Sequence, residues 1–401
     1  MFALMLPILV GFVALGVEVT FWFMQHRDLQ SAADAAAIGA SYSVKSNGSD
    51  SEIDAAALQE AVRNGLDTSD GDTIDVNMPP TSGSYTSNDY AVEVVLSRPV
   101  ALLFSGVFLD NAISVDTRAV ATLTSKTEAC VLALDTSSSG TLKNQGNANI
   151  SMTGCAVAVN SSNSSAMTIT GTSTLTTDCA SVVGGYSVGS NATLATECPS
   201  AQSGALAVDD PYVNVAEPPI GSCLQTNYSI SSGTLLQGTY CRGVNFSGTV
   251  ALVTGGVYVI DRGTFLVNAG ATLTGTNVTI FLTSSTGSQY ASVTINGGAN
   301  VTLSANDSGD YAGILFYGDD DTPTSPPSNQ TFNGGATMDL TGALYFPKGN
   351  INYTGGASLG GSCTQMIAQT ITFGGDAEMN TACSNSGMSS IEILDTVGLV
   401  E

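Results

Sequence analysis

Basic residues are scarce in this 401-residue chain, which has 10 Lys and Arg against 34 Asp and Glu and a formal net charge of −24. Beyond residue 126 the chain carries only Lys143, Arg242, Arg262 and Lys348. Nucleic-acid binding depends on basic side chains clustered against phosphates. The sequence has no such cluster, so we exclude nucleic acid as a partner.

Histidine is nearly absent as well, because His26 is the only one. A histidine-based nucleophilic triad therefore has no base beyond residue 126. Zinc is not indicated either, since the chain has one histidine and no Cys-x-x-Cys pair. The eight cysteines instead predict disulfides formed in an oxidising compartment. All of them lie beyond residue 126: Cys130, Cys155, Cys179, Cys198, Cys223, Cys241, Cys363 and Cys383.

Long apolar runs are missing except at the start, where residues 1–24 read MFALMLPILVGFVALGVEVTFWFM. At 1.5 Å per residue, a helix of this length spans a hydrocarbon layer of about 30 Å. The next residues, QHRDLQSAADAAAIGASY, carry alanines that leave a face for close approach of another helix. We predict one long helix over 1–44. A secretory signal peptide is the alternative, but no basic segment precedes the run and no clear cleavage site follows it.

Glu18 is a carboxylate inside this apolar helix, a position that is costly in a membrane. Two interpretations stay open. The side chain either pairs with a partner group or leans toward the interface, which lies about 9 Å away at Met24. His26 lies in the polar junction, where we expect it to be solvated.

The first forty residues resemble the N-terminal signature of TadE/TadG-like proteins of Flp (Tad) pilus assembly. The shared pattern is an apolar helix with an early proline and a late acidic residue, followed by Leu-Gln and Ala-Ala-Asp-Ala-Ala. Its positions in this sequence are Pro7, Glu18, Leu29, Gln30, Ala33, Asp34, Ala35 and Ala36. The resemblance implies helix packing and assembly with other pilin-like or platform subunits and with the membrane, and it leaves self-assembly open. It also implies an inner-membrane anchor with a periplasmic or extracellular domain, or a cell-surface pilus.

Residues 45–126 predict a small α/β module. SDSEIDAAALQEAVRNGL has a capping residue at its start and Gly65 as a stop, which indicates a helix. DYAVEVVLSRPV alternates apolar and polar residues, and AISVDTRAVATLTS is a second strand candidate. Nothing in this module suggests catalysis.

Beyond residue 126 a small Gly- and Asn-containing phrase recurs, as NAGATLTG at 268–275, NGGANVTLSA at 296–305 and NGGATMDLTG at 333–342. Repeats of roughly twenty to thirty residues, built from short alternating strands, are typical of solenoids. We therefore predict a mainly β chain in which 127–401 form a parallel β-helix, with Val301 and Leu303 pointing inward. A β-sandwich with similar hairpins is the alternative. Other stretches of this region, such as GGVYVIDRGTFLVNAGATLTG, resemble the C-terminal part of many Tad-domain proteins, which have no defined enzymatic activity.

The repeat also predicts how the cysteines pair. Cys363 and Cys383 each follow a repeat anchor, Ala357 or Ala377, by six residues. Strands on successive turns are about 4.8 Å apart, which is within disulfide reach. We thus expect Cys363–Cys383 from the repeat, and from proximity we expect Cys179–Cys198, Cys130–Cys155 and Cys223–Cys241.

Two acidic patterns are candidate cation sites. LDTSSSG places Asp135, Ser137 and Ser139 in a D-x-S-x-S pattern that resembles the metal site of von Willebrand A domains. Asp319–Asp321, in YGDDDTPTSPP, fit contact with Ca²⁺ or carbohydrate, or a solvated acidic loop. Apart from Ca²⁺ we expect no cofactor.

Taken with the resemblance, these features predict a structural protein and not an enzyme. It would be a membrane-anchored or filament-incorporated component of the Tad pilus system, displaying an extracellular β-helix in surface attachment. The alternative is an anchored β-helix that binds or cleaves polysaccharide, with surface glycans as its ligands. Cleavage is disfavoured because no repeat carries paired acids at a regular position.

Overall fold

The computed structural model describes residues 2–107, 113–198, 201–325, 327–333, 335, 337–354, 358–359, 363–374, 377–380 and 387–401. The predictions of a mainly β chain, a long apolar N-terminal helix and disulfides are confirmed. The chain divides into unit 1, which comprises Met1–Lys126 and Leu394–Glu401, and unit 2, which comprises Thr127–Ile393. The last eight residues correct the predicted extent of the β-rich region. They belong to unit 1 because Val120 bonds to the backbone of Val400 and Glu401.

Unit 1 is an antiparallel sheet with two helices. Helix α1 is Phe2–Lys45 and helix α2 is Asp50–Arg63, with short 3-10 turns at Thr68–Asp70 and Ser105–Val107. Strand β1 (Thr73–Asn77) pairs with β2 (Ala91–Val100), and β2 pairs with β3 (Ile113–Ala133). Helix α2 begins at the capping box of Ser49 and Glu52, and Gly65 follows it with a positive φ. The helix and strands predicted over 45–126 are therefore present.

Unit 2 contains the remaining described strands, which are short except for β13, β14, β23 and β25. They are β4 (Leu142–Asn144), β5 (Asn149–Thr153), β6 (Ala156–Val159), β7 (Met167–Ile169), β8 (Thr174–Thr177), β9 (Ala180–Val182), β10 (Tyr186–Val188), β11 (Thr193–Thr196), β12 (Gln202–Ser203), β13 (Cys223–Leu235), β14 (Gly238–Leu252), β15 (Val257–Asp261), β16 (Thr264–Val267), β17 (Thr272–Gly275), β18 (Thr279–Thr283), β19 (Ser292–Ile295), β20 (Asn300–Ser304), β21 (Ile314–Gly318), β22 (Ser328–Asn333), β23 (Thr337–Thr354), β24 (Ser358–Leu359), β25 (Thr364–Phe373) and β26 (Ala377–Asn380). The last strand, β27 (Ile391–Leu399), leads back to unit 1.

The strands of unit 2 pair in parallel and form three ladders. Ladder A joins β14, β15, β18, β21, β23, β25, β3, β6, β9 and β12. Ladder B joins β14, β16, β19, β22, β23, β25, β4, β7 and β10. Ladder C has two described parts, β14–β17–β20–β23–β24 and β26–β5–β8–β11. Because β14 and β23 each pair in all three ladders, β14, β15, β18, β21, β23, β22, β19 and β16 close into a ring of eight parallel strands.

The pairing order differs from the chain order. Met366 of β25 pairs with Val131 of β3, and Ile371 pairs with Leu142 of β4. The last paired strands of the region therefore lie beside its first ones. In this register Thr249 pairs with Thr272, so that Gly248 occupies the position that Ala271 holds in the repeated phrase.

The core of unit 2 lies between the ladders. Val301 and Leu303 are each 1% exposed, and their neighbours Asn300 and Thr302 are exposed, as the repeat predicted. Ladder A differs, because all residues of β18 and β21 are buried. A strand buried on both faces needs a cover on its outer side.

That cover is residues 204–222, the return strap. Its Val208 and Tyr212 share an apolar cluster with Phe281, Tyr317 and Tyr345 of ladder A. The Tyr317 hydroxyl donates to the Val215 carbonyl at 2.6 Å, and the Tyr345 hydroxyl donates to an Asp210 carboxylate oxygen at 2.9 Å. The strap therefore stabilises the outer face of ladder A.

Candidate functional site

Helix α1 has two halves with different surroundings. In residues 9–24 the large apolar side chains are mostly exposed, with Phe12 at 70% and Phe23 at 68%. By length and composition this is the one helix in the described chain that is suited to crossing a membrane. Pro7 lies in α1, but its side chain is outside the described residues.

The Leu-Gln and alanine motif lies in the other half and is used inside unit 1. Leu29, Ala33 and Ala36 are each 0% exposed, and α1 packs against α2 and β2. Helix α2 lies close to α1 at Gly39, where an added Cβ would lie 2.6 Å from Glu60 Cγ. The small-residue face thus receives a helix of the same chain.

The polar members of the motif also have partners within unit 1. The Gln30 amide nitrogen donates to the Arg118 carbonyl at 2.9 Å and to the Asp34 carboxylate at 2.7 Å. These two side chains therefore fix the orientation of α1 beside β3. The assembly role that the resemblance implied for them stays a prediction.

Glu18 is paired, as one of the two interpretations held, and its partner groups belong to a loop of its own unit. Its carboxylate is 1% exposed and accepts the Leu103 N–H at 2.9 Å, the Ser105 N–H at 2.7 Å and the Ser105 hydroxyl at 2.7 Å. The loop is the β2–β3 connection, more than eighty residues away in the chain. No local pattern could have revealed this pairing.

The D-x-S-x-S pattern forms a turn. One Asp135 carboxylate oxygen accepts the backbone N–H of Ser137 at 2.9 Å and of Ser138 at 2.6 Å. The Ser139 hydroxyl donates elsewhere, to the Ser165 carbonyl at 3.4 Å. The hydroxyl that reaches Asp135 belongs to Ser138, at 2.9 Å. Asp135 is therefore engaged in fixing its own loop.

A cleft of about 480 Å³ opens beside this turn in unit 2. Asp135, Asp210, Asp320 and Asp321 line it together with Lys348. They come from the turn after β3, the return strap, the loop after β21 and the middle of β23. No sequence pattern indicated this convergence, because the turn after β3, the return strap and the β21–β23 region are far from one another in the chain.

The carboxyls of the cleft differ in protonation tendency. Burial raises the pKa of Asp210, although hydrogen bonds from the Tyr212 N–H and the Tyr345 hydroxyl oppose that effect. Burial also acts on Asp135, but the hydrogen bonds from Ser137 and Ser138 outweigh it and lower its pKa. The surroundings of the cleft thus shift the pKa of Asp210 upward and the pKa of Asp135 downward.

Three acidic residues meet at the edge of the cleft. Carboxylate oxygens of Glu217, Asp319 and Asp320 lie within 4.8 Å of one another. Glu217 is on the return strap and accepts the Asp320 N–H at 2.8 Å, while Asp319 is buried and accepts the Thr283 hydroxyl. Burial, together with the charges of Asp319 and Asp320, raises the pKa of Glu217 to about 7. The sequence pattern found the aspartates but missed Glu217.

Three disulfides form between described residues of unit 2. They are Cys130–Cys155, Cys179–Cys198 and Cys223–Cys241, with Cα separations of 5.7, 5.3 and 5.6 Å. These are the pairs expected from proximity. The expected Cys363–Cys383 pair lies outside the described residues, because Cys383 is not among them.

Comparison with known proteins gives one finding, at the N-terminus. Residues 1–45 match the family model described as putative Flp pilus-assembly TadE/G-like. The match covers α1, including the Leu-Gln and alanine motif, and agrees with the resemblance seen in the sequence. No curated protein and no solved structure matches the chain.

Proposed function

We propose that this protein is a membrane-anchored structural component of the Tad (Flp) pilus system that presents unit 2 outside the membrane. The match of residues 1–45 to the TadE/G-like model carries the proposal. The exposed apolar half of α1 supports an anchor, because a lone helix with this surface is stable in lipid and not in water. Through this half the protein would contact the membrane and pilin-like or platform subunits, and unit 2 would serve in surface attachment.

The anchor is tested without disturbing unit 1. Deleting residues 1–44 would remove the buried motif, so we choose the double change Phe12→Asp and Val13→Asp on the exposed half. We expect this variant to leave the membrane fraction and to cease supporting pili on the cell, while its circular dichroism stays that of the parent. Tyr42→Asp, at an exposed position on the packed half of α1, is the matched control. If cells that carry the double variant release it from the membrane but still assemble normal pili, a role in pilus assembly is contradicted.

For unit 2 the proposal includes a parallel β-helix. Strands that follow one another in the chain occupy ladders A, B and C in regular rotation, as β15, β16 and β17 do. In a simple barrel, consecutive strands would instead be neighbours. The three disulfides would then clamp one turn to the next. A density map of the full chain with a three-sided coil would support this, and a single-walled barrel would contradict it.

We propose further that the protein is not an enzyme, and the cleft favours polysaccharide binding as a second function. Asp210, Asp321, Lys348 and Tyr345 offer hydrogen-bonding groups for sugar hydroxyls in a concave site of suitable volume. A glycan array tests binding, with Asp321→Asn and Lys348→Gln expected to weaken it and Asp307→Asn, an exposed acid outside the cleft, as control. A reducing-end assay that shows turnover lost on changing Asp210 would make the protein an enzyme.

A further inference from the structure

The connection between β2 and β3 has the composition of a membrane-contacting loop. Residues 99–109, PVALLFSGVFL, contain no charged side chain. Residues 101–107 of this connection are the hairpin tip. Leu103 is 50% exposed, Phe104 is 49% exposed and Val107 is 82% exposed. Such a group of exposed apolar side chains marks a site of contact with another apolar surface.

The hairpin tip lies against the apolar half of α1 and not against its polar half. Glu18 holds it there through the N–H groups of Leu103 and Ser105 and through the Ser105 hydroxyl. Residues 2–17 of α1 continue beyond this contact for roughly 24 Å at 1.5 Å per residue. The tip is thus level with a part of α1 that the proposed anchor places inside the apolar layer.

Helix α1 and the β2–β3 hairpin both change from apolar to polar or charged residues at the same level along the helix. Seven residues after Glu18, the Gln25 side-chain oxygen accepts from the Arg98 guanidinium at 3.2 Å. Arg98 in turn donates to Asp72 at 2.6 Å, and it immediately precedes the uncharged stretch of the hairpin. The Gln25–Arg98–Asp72 group therefore marks a polar layer. Beyond it, Glu18 is the only charged residue among residues 2–24 of α1, and the described hairpin residues 99–107 carry no charge.

Hydrogen bonding makes this placement tolerable in lipid. Irregular backbone enters the hydrocarbon region only where its polar groups are satisfied within the protein. The Glu18 carboxylate satisfies two N–H groups of the tip, and the tip in turn satisfies a carboxylate that would be costly alone in an apolar medium. The carboxylate and the hairpin tip therefore satisfy each other's hydrogen-bonding groups, which are the main cost of placing either one in lipid.

We propose that the hairpin tip enters the lipid bilayer beside α1, so that Glu18 couples the membrane anchor to the antiparallel sheet of unit 1. The proposal rests on the membrane anchoring proposed above. The bilayer is the occupant that fits, because the exposed side chains of the tip continue the exposed apolar surface of α1. Glu18 acts as a positioning residue for the tip.

Depth-dependent fluorescence quenching tests this in the full chain. Trp22 is the only tryptophan, so Trp22→Phe provides a background for single reporters. The reporters are Phe104→Trp at the tip, Phe12→Trp in the anchor and Tyr42→Trp on the packed half of α1. Each is reconstituted in phosphatidylcholine–phosphatidylglycerol vesicles that contain lipids spin-labelled at shallow or deep acyl positions, with circular dichroism to confirm folding.

We expect the lipids to quench the reporters at 12 and 104 and to leave the reporter at 42 unaffected. Quenching at 12 without quenching at 104 would overturn the hairpin proposal and leave the anchor intact. An unquenched reporter at 12 would overturn both. Adding Glu18→Ala should lower quenching at 104 toward the value at 42 while quenching at 12 persists. Unchanged quenching at 104 in that variant would show that Glu18 does not position the tip.

Discussion

In unit 1, individual buried carboxylates each accept several hydrogen bonds. Glu93 is 0% exposed and accepts the Thr81 N–H at 3.0 Å, the Thr81 hydroxyl at 2.6 Å and the Ser82 hydroxyl at 3.0 Å. Arg118 adds a charged donor at 2.5 Å. Glu18 and Glu93 thus each accept several hydrogen bonds at once. The donors to Glu18 lie more than eighty residues away in the chain, and those to Glu93 come from residues 81, 82 and 118.

Glu93 predicts how unit 1 responds to acid. Burial alone would raise its pKa, but the hydrogen bonds from Thr81, Arg118 and Ser82 outweigh burial and lower the pKa from 4.5 to about 2. Because the folded state prefers the ionised form, the contribution of Glu93 to stability is full above pH 4.5 and is lost as the pH falls toward 2.

The measurement is the denaturation midpoint of unit 1 against pH, followed by Trp22 fluorescence. The midpoint should fall across that interval in the parent, and the fall should be shallower in Glu93→Gln. An equal fall in both proteins would show that Glu93 does not control the acid response. Asp54→Asn, at an exposed residue of the same unit, is the control.

At the scale of elements, α1 combines two surfaces in one helix. Its second half is packed by small residues, and its first half is exposed and apolar. The prediction of a close-packing face was therefore right about the geometry, while the helix that fills that face is α2 of the same chain. Most of the exposed apolar surface of α1 that a proposed membrane or filament partner could contact lies in its first half.

The small-residue face predicts intolerance to larger side chains. Ala36→Leu adds volume at a fully buried position and should lower the free energy of unfolding by about 1–3 kcal/mol. Ile38→Leu changes an exposed residue of the same turn, 36% exposed, and should have little effect. Thermal denaturation in detergent compares the two, and equal stabilities would mean that α2 does not pack tightly on α1.

The return strap is the second element whose role can be measured. Tyr212 is 1% exposed, and its ring lies 5.4 Å from that of Tyr345. Tyr212→Ala should lower the free energy of unfolding by about 3 kcal/mol and accelerate hydrogen exchange of residues 204–222. Val213→Ala, at an adjacent residue that is 65% exposed, is the control. Unchanged exchange in Tyr212→Ala would show that the strap is held by other contacts.

Local features of the fold were predictable from the sequence, and convergent features were not. The helix capped by Ser49 and the inward direction of Val301 and Leu303 follow from patterns a few residues long. The repeat pattern did not predict the return strap. The sequence feature that indicates the strap is the continuous apolar strands of ladder A, because such strands require a covering layer on their outer side. The cleft, and the contact between Glu217 and Asp320, depend on segments about a hundred residues apart, and no spacing in a single sequence encodes such a contact.

At the scale of the whole molecule, the chain leaves unit 1 at Lys126 and returns to it at Leu394. The returning segment forms several hydrogen bonds with β3 of unit 1. Val120 exchanges backbone hydrogen bonds with Val400 and Glu401, and the Glu401 carboxylate accepts from Arg118 at 2.7 Å. Unit 2 is thus an insertion, and unit 1 is completed only by the last residues of the chain.

Removing residues 394–401 should therefore destabilise unit 1 and affect unit 2 much less. Arg118 would lose one of its two carboxylate partners, and Val120 would lose its backbone partners. Hydrogen exchange resolved by peptide should show faster exchange in residues 113–123 and little change in residues 257–304. Leu399→Ala, at a residue that is 44% exposed, is the mild control. Unaltered exchange near Val120 would contradict the role assigned to the returning strand.

The pairing of β25 with β3 and β4 has a consequence for the order of events during synthesis. Residues 131–144 leave the ribosome more than two hundred residues before residues 366–373, their neighbours on one side of ladders A and B. Until those neighbours emerge, β3 and β4 present unpaired backbone groups and an uncovered apolar edge to the surrounding medium. A protein exported as it is made would thus need its early strands shielded, and a periplasmic chaperone that binds extended apolar segments is the kind of factor on which its yield would depend.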